Sequence, residues 1–240
     1  AQLADKMNDA LLRGDEAAFK EHDEHLGFYT PILKGFLTEL GFEAANHGMQ
    51  VYGGHGYIKE WGMEQIVRDS RISTLYEGTT GIQALDLIGR KVLLSSKGKV
   101  IRDYTAEILK FCGQHATNKY MRRFAWDLTK LCAQWNALTV RLMLAARKDR
   151  DAVSSASVDF LMFSGYVMMA YFWAQQAAAA SEKLADGNGA EVPEFYKAKI
   201  KVADFYFERL LPRTQGHAES MINPSKTLTS LAPEHFSFDY

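Results

Sequence analysis

Apolar residues recur every three or four positions along most of the chain, the period of helices that turn one face inward. Leu33, Phe36, Leu37, Leu40 and Ala44 form one stripe, with Pro31 at its opening and Thr30 placed to cap it. Ile82, Leu85, Ile88 and Val92 form a second, and Ile101, Tyr104, Ile108 and Cys112 a third. The longest is Tyr120, Phe124, Leu128, Leu131, Trp135, Leu138 and Leu142, in alternating steps of four and three. After a break at Asp186-Gly187-Asn188-Gly189, Pro193 opens a helix with Tyr196, Ile200, Ala203, Phe207 and Leu210 on one side. Residues 1–13 read as one more helix, closed by Gly14. The expected fold class is all-α, a helical bundle followed by an additional helical extension. The stripes are core by default and carry no chemistry of their own.

Composition fits that reading. The 240 residues are 47% hydrophobic and 24% charged, enough for a substantial core in one or two domains. This balance excludes a disordered tail, a collagen-like fibre and a disulfide scaffold. Only 5 prolines occur, none between Pro31 and Pro193, which favours helix over turn-rich sheet. The segment Ser95-Ser96-Lys97-Gly98-Lys99 is the best linker, dividing residues 1–95 from an extension at 99–240.

Charge and cysteine usage narrow the function classes. With 28 basic and 29 acidic residues and no single-sign run, the chain offers no electrostatic grip on nucleic acid. Cys112 and Cys132 match no metal or redox spacing and read as small buried thiols of a reducing, cytoplasmic compartment. No signal peptide is visible in the opening residues, and the chain reads as a piece of something longer. Residues 160–181 carry no charge and are long enough to cross a bilayer. Gln175, Gln176, the closing alanines and the absence of a basic flank favour a buried bundle helix, so no membrane partner is expected.

Two segments hold candidate chemistry. Residues 41–62 contain six of the 18 glycines, concentrated in Gln50-Val51-Tyr52-Gly53-Gly54-His55-Gly56-Tyr57. They are either a helix end with a tight loop, or a backbone surface held against a ligand such as a nucleotide. They are not a dinucleotide fingerprint, since no strand precedes them and the spacing differs. The other segment is Leu75-Tyr76-Glu77-Gly78-Thr79-Thr80. A desolvated loop carboxylate at Glu77 suits a general base, whereas one near a helix start suits the helix dipole. Glu21-His22-Asp23-Glu24-His25 lacks a metal-ligand order and reads as a solvated acidic segment, so no metal is expected. Trp61, Trp126, Trp135 and Trp173 read as core or interface anchors.

The runs Gln50-Val51-Tyr52-Gly53-Gly54-His55-Gly56-Tyr57-Ile58, Arg68-Asp69-Ser70-Arg71-Ile72 and Tyr76-Glu77-Gly78-Thr79-Thr80-Gly81-Ile82-Gln83 closely resemble the acyl-CoA dehydrogenase family. They match its C-terminal helical domain in order and spacing, over roughly residues 1–95. The remainder resembles the helical extension of a bacterial branch that includes 3-methylmercaptopropionyl-CoA dehydrogenases. The resemblance implies an FAD-dependent oxidation of an acyl-CoA thioester to the trans-2-enoyl thioester. It places Glu77 as catalytic base, with its backbone N–H bonding the thioester carbonyl. It sets Gln50, Gly53 and Gly54 at the adenosine end of FAD and Thr79 near the pyrophosphate. Tyr76, Glu77 and Gly78 fall at the acyl substrate, although Tyr76 has packing as its alternative. Arg68, Asp69 and Arg71 either steer a CoA phosphate or form an ion-pair network that fixes the loop.

Gly81 departs from the family, which often has a polar residue there against the cofactor. Nothing in these 240 residues resembles the family's N-terminal helical and middle β domains, so the chain by itself is expected to bind FAD weakly and to be inactive. Electron-transfer flavoprotein is the acceptor the resemblance implies, and a homo-oligomer the expected assembly. The alternative is a non-enzymatic helical assembly or interaction module derived from the same family.

Overall fold

A computed structural model describes residues 2–149, 151–186, 192–223 and 225–236. The described residues are helices joined by short turns, with no strand among them, in agreement with the all-α expectation. The chain divides into two compact units, residues 1–100 and 101–240.

In the first unit α1 (Gln2–Arg13) ends at Gly14, and α2 (Glu16–Val51) begins at Asp15, whose carboxylate accepts the Ala18 N–H at 3.0 Å. The short α3 (Gly54–Tyr57) and α4 (Met63–Ile72) follow. After the loop carrying Glu77 come α5 (Thr80–Leu85) and a π-helical run over Asp86–Ser95. Both α4 and α5 pack on α2, which is the spine of the unit.

Two expectations fail here. Pro31 lies inside α2 rather than at a helix start, and the Thr30 hydroxyl donates to the Leu26 carbonyl at 2.8 Å instead of capping. An internal proline costs a helix about 3 kcal/mol. Burial of Pro31 with Phe28, Ile32 and Phe36 offsets that cost. The inward face therefore runs through these residues and Gly35, leaving Leu33 and Leu37 exposed at 50% and 42%. The second stripe shifts likewise: Ile82 and Leu85 are exposed, while Ala84, Leu87, Ile88 and Val92 are buried. The wider π turn keeps Leu87 inward beside Ile88 and Val92, a place outside the marked stripe.

The second unit holds α6 (from the linker, Lys99–His115), α7 (Arg122–Ala145), α8 (Asp151–Ala185), α9 (Pro193–Phe205), a π run at Tyr206–Leu210, α10 (Arg213–Met221) and α11 (Lys226–Thr229). Its stripes behave as the pattern dictates. Ile101, Tyr104, Ile108 and Cys112 are buried, as are Phe124, Leu128, Leu131, Trp135, Leu138 and Leu142. Tyr120 is exposed because it precedes the first turn of α7, and Met121 fills the inward place. Pro193 opens α9, as expected; residues 187–189 of the foreseen break lie outside the described residues.

Helix α8 is long and apolar enough to cross a membrane by length and composition. In the structure it is packed among α7, α9 and α10, with Phe160, Leu161, Phe163 and Val167 fully buried. The Tyr206 hydroxyl donates to the Tyr166 carbonyl at 2.9 Å, and burial pushes the Tyr206 phenol well above its ordinary range. Both cysteines are buried and unbridged. Burial, with Cys112 nearby, pushes the Cys132 thiol up to about 12.

Two measurements test this packing. Trp135→Ala lowers the unfolding free energy by about 3–5 kcal/mol, whereas Trp126→Ala, at a 64% exposed ring, changes it by less than about 0.5 kcal/mol; urea titration reads both. Below about pH 8 the Cys132 thiol stays protonated in both states. Between 9 and about 12 the unfolded thiol ionises first, so stability falls with rising pH by up to about 1.4 kcal/mol per unit. Cys132→Ala makes that slope shallower, and the Cys112 thiol with the Tyr171 and Tyr206 phenols, also raised by burial, carry the remainder.

Candidate functional site

The segment between α4 and α5 is held at both ends by α2. The Lys34 ammonium donates to the Ser73 carbonyl at 2.5 Å, and the Thr80 hydroxyl donates to the Glu39 carboxylate at 2.5 Å. The Lys34 nitrogen also stands 5.7 Å from the centre of the Tyr76 ring. At the end of α4, Arg71 donates to the Thr74 hydroxyl at 2.8 Å and lies 5.4 Å from the Phe42 ring centre. Thr74 is the buried residue of this loop.

Between those anchors the backbone turns left-handed. Glu77 has φ 55° and Gly78 φ 89°. A left-handed glutamate is uncommon and is held by its surroundings. Here the Gln83 side-chain amide donates to the Glu77 carbonyl at 3.2 Å, from the first turns of α5. Position 78 is glycine because a φ of 89° is one that a side chain rarely adopts. A Cβ at Gly78 would lie 2.7 Å from Gln83 Nε2. Thr79 caps α5, its hydroxyl accepting the Ile82 N–H at 3.4 Å. The carboxylate and the backbone N–H of Glu77 have no hydrogen-bond partner among the described residues. The side chain is exposed in this chain, so the desolvation foreseen for Glu77 is not produced by these residues.

The arrangement groups Tyr76, Glu77, Gly78 and Thr79. It does not bring Gln50, Gly53 and Gly54 to them. Gln50 lies eleven residues beyond Glu39 on α2, about 16 Å along the axis. The glycine segment is a helix end followed by a tight loop. Gly56 is required there, since a Cβ would lie 2.3 Å from the Met49 carbonyl oxygen. Gln50, Gly53 and Gly54 are exposed, and a Cβ at Gly53 or Gly54 meets nothing within 4 Å. An open stretch of backbone flanked by a carboxamide can receive a ligand of nucleotide type. Gly81 likewise has open space around it.

Arg68, Asp69 and Arg71 do not form the foreseen ion-pair network. Arg71 bonds Thr74, Asp69 accepts from Gln65 at 2.7 Å, and Arg68 is exposed without a partner among the described residues. Three positions escaped sequence reasoning, Lys34, Glu39 and Phe42, and Gln83 stood in a matched run without a role. The signal for the first two was a cation and a carboxylate five apart within the most apolar part of α2. Among the described residues no group of His, Cys, Asp and Glu side chains is placed to hold a metal.

Comparison with known proteins gives this geometry a setting. Residues 104–232 match the family described as acetyl-CoA dehydrogenase C-terminal like, and residues 9–93 match the acyl-CoA dehydrogenase C-terminal domain. The chain belongs to the acyl-CoA dehydrogenase family. It is 37% identical over 204 residues to the 3-methylmercaptopropionyl-CoA dehydrogenase of Ruegeria pomeroyi, covering 85% of this chain and 34% of that protein. It is 32% identical over 219 residues to a broad-specificity linear acyl-CoA dehydrogenase of Mycobacterium tuberculosis, covering 88% and 33%. A shorter match, 32% over 90 residues, joins it to a subunit of the caffeyl-CoA reductase–Etf complex of Acetobacterium woodii, covering 37% and 24%. The chain spans about a third of the length of the first two relatives.

The turn supplies its own test. Gly78→Ala places a methyl group where the Gln83 amide now sits and strains a left-handed backbone. It lowers stability by about 1–2 kcal/mol and speeds amide hydrogen exchange at residues 76–80, read by mass spectrometry.

Proposed function

We propose that the chain is the C-terminal helical part of a flavin-dependent acyl-CoA dehydrogenase and carries its catalytic base, Glu77. The observation that supports this most is the Glu77 turn. Its carbonyl is bonded to Gln83, while its carboxylate and N–H are left unengaged on a loop tied at both ends to α2.

In this reading the Glu77 carboxylate takes the proton from the carbon next to the thioester carbonyl. The Glu77 N–H donates to that carbonyl oxygen, where negative charge develops as the proton leaves. Tyr76 lines the acyl chain, with Lys34 fixing its ring, and Gly78 lets the chain pass close to the thioester. When bound, FAD would supply the hydride acceptor for the β-hydrogen. The open backbone of Gly53 and Gly54 with the Gln50 carboxamide suits its adenosine end, and the Thr79 hydroxyl suits its pyrophosphate. Gln50, Gly53 and Gly54 lie at the end of α2 and Thr79 at the start of α5, a separation that suits a long dinucleotide or one shared between subunits. Loss of water around Glu77, which raises a carboxylate toward working pH, comes from substrate and from the parts of the enzyme that this chain does not span.

The same reading extends to partners. The relative named for an Etf complex supports electron-transfer flavoprotein as the acceptor. Exposed Leu33, Leu37, Ile66, Ile72 and Ile82 in the first unit support a homo-oligomeric enzyme in which this surface is covered, and the unbridged cysteines suit a cytoplasmic one.

In the complete enzyme, Glu77→Gln lowers kcat by about 10²- to 10⁴-fold while the flavin absorbance is retained; full activity in that variant rejects the assignment. The 240-residue chain alone purifies colourless and inactive, as absorbance near the flavin bands shows directly.

A further inference from the structure

The second unit presents an amphipathic flank that nothing in the catalytic reading uses. On α9 and the π run after it, Phe195, Ala198, Val202 and Phe205 recur at steps of three and four on the outer side. Phe195, Val202 and Phe205 are exposed at 55%, 42% and 57%. The buried side of the same segment is Ala203, Tyr206 and Phe207, so the outer stripe is a second apolar face on one helix. Lys199 ties this flank to α8, its nitrogen standing 5.3 Å from the Phe195 ring centre and 6.0 Å from that of Trp173. Phe172, next along α8, is exposed as well.

Charge says what covers such a face. Residues 193–210 carry three acids, and all three are engaged. Glu194 accepts from Lys197 at 2.8 Å, while Asp204 and Glu208 are both held by Arg123 of α7, at 2.6 and 2.8 Å. Of the four cations on the segment, Lys199, Lys201 and Arg209 form no ion pair among the described residues. With Arg123 counted, five cations face three acids, so the flank is apolar rings beside a net charge of two positive units. A second copy of the same face would oppose cation to cation, which disfavours self-pairing. A surface with an apolar interior and an anionic skin satisfies both components.

We propose that the α9 flank is a peripheral docking surface for anionic lipid bilayers. Phe195, Val202 and Phe205 sink to the headgroup–acyl boundary, and Lys199, Lys201 and Arg209 meet the anionic headgroups. Helix α8 stays packed inside its unit, so the contact lies on the bilayer and does not span it. This inference is independent of the role of Glu77.

The experiment is vesicle flotation of the chain. One set of vesicles is phosphatidylcholine alone and the other contains about one-third phosphatidylglycerol, each at low and high salt. Binding is expected to be at least about five-fold greater on the anionic vesicles and to weaken with salt. Phe195→Ser with Phe205→Ser, and separately Lys199→Glu with Arg209→Glu, should each lower it by about five-fold or more. Trp126→Ser, an exposed aromatic on α7, should leave it unchanged. The substituted side chains are exposed, and circular dichroism verifies that the variants fold. Equal binding to both vesicle types, or none to either, overturns the proposal. So does concentration-dependent self-association that the phenylalanine variant abolishes, which makes a second copy the occupant.

Discussion

The turn that carries Glu77 exists because one helix holds both of its ends. Left-handed backbone at a glutamate is unfavourable by itself, and a seven-residue connection between short helices has many alternatives. Lys34 and Glu39 remove them by fixing Ser73 and Thr80 to successive turns of α2. Once those ends are set, Gln83 has its acceptor, Thr79 its capping position and Gly78 its required lack of a side chain. The remaining groups on Glu77 face outward unengaged. Local strain and chemical availability thus share one cause, a rigid helix 36 residues long.

How much of this was legible in the sequence depended on helix regularity. In the second unit α6 and α7 are ordinary α-helices, and steps of three and four marked their buried faces nearly residue by residue. In the first unit two irregularities moved the faces. Pro31 was read as a start because an internal proline is normally excluded, and only the burial of its neighbours shows why α2 passes through it. The π run at Asp86–Ser95 changes the period itself, which no α template detects. Glu77 stood out through its motif and its glycine. Lys34 and Glu39 did not, since each meets its partner about forty residues away. Such pairing becomes visible only after α4 and α5 fold back on α2.

The two units differ in what they leave to solvent. The first exposes Leu33, Leu37, Ile72, Tyr76 and Ile82 around or near the Glu77 loop, with its polar groups unspent. The second is closed around α8, and its exposed apolar residues lie on separate faces such as that of α9. A family chain that spans a third of its relatives combines an open first unit with a second unit that closes on its own helices.

Helix α8 has a consequence for how the protein is made. Its main neighbours, α9 and α10, come later in the chain. During translation the uncharged stretch of residues 160–181 therefore leaves the ribosome whole before most of its cover has been synthesised. At that moment it presents to targeting factors and chaperones the length and hydropathy of a membrane anchor. The order of helices in the gene thus adds timing to Gln175, Gln176 and the missing basic flank in separating this core helix from an inserted one.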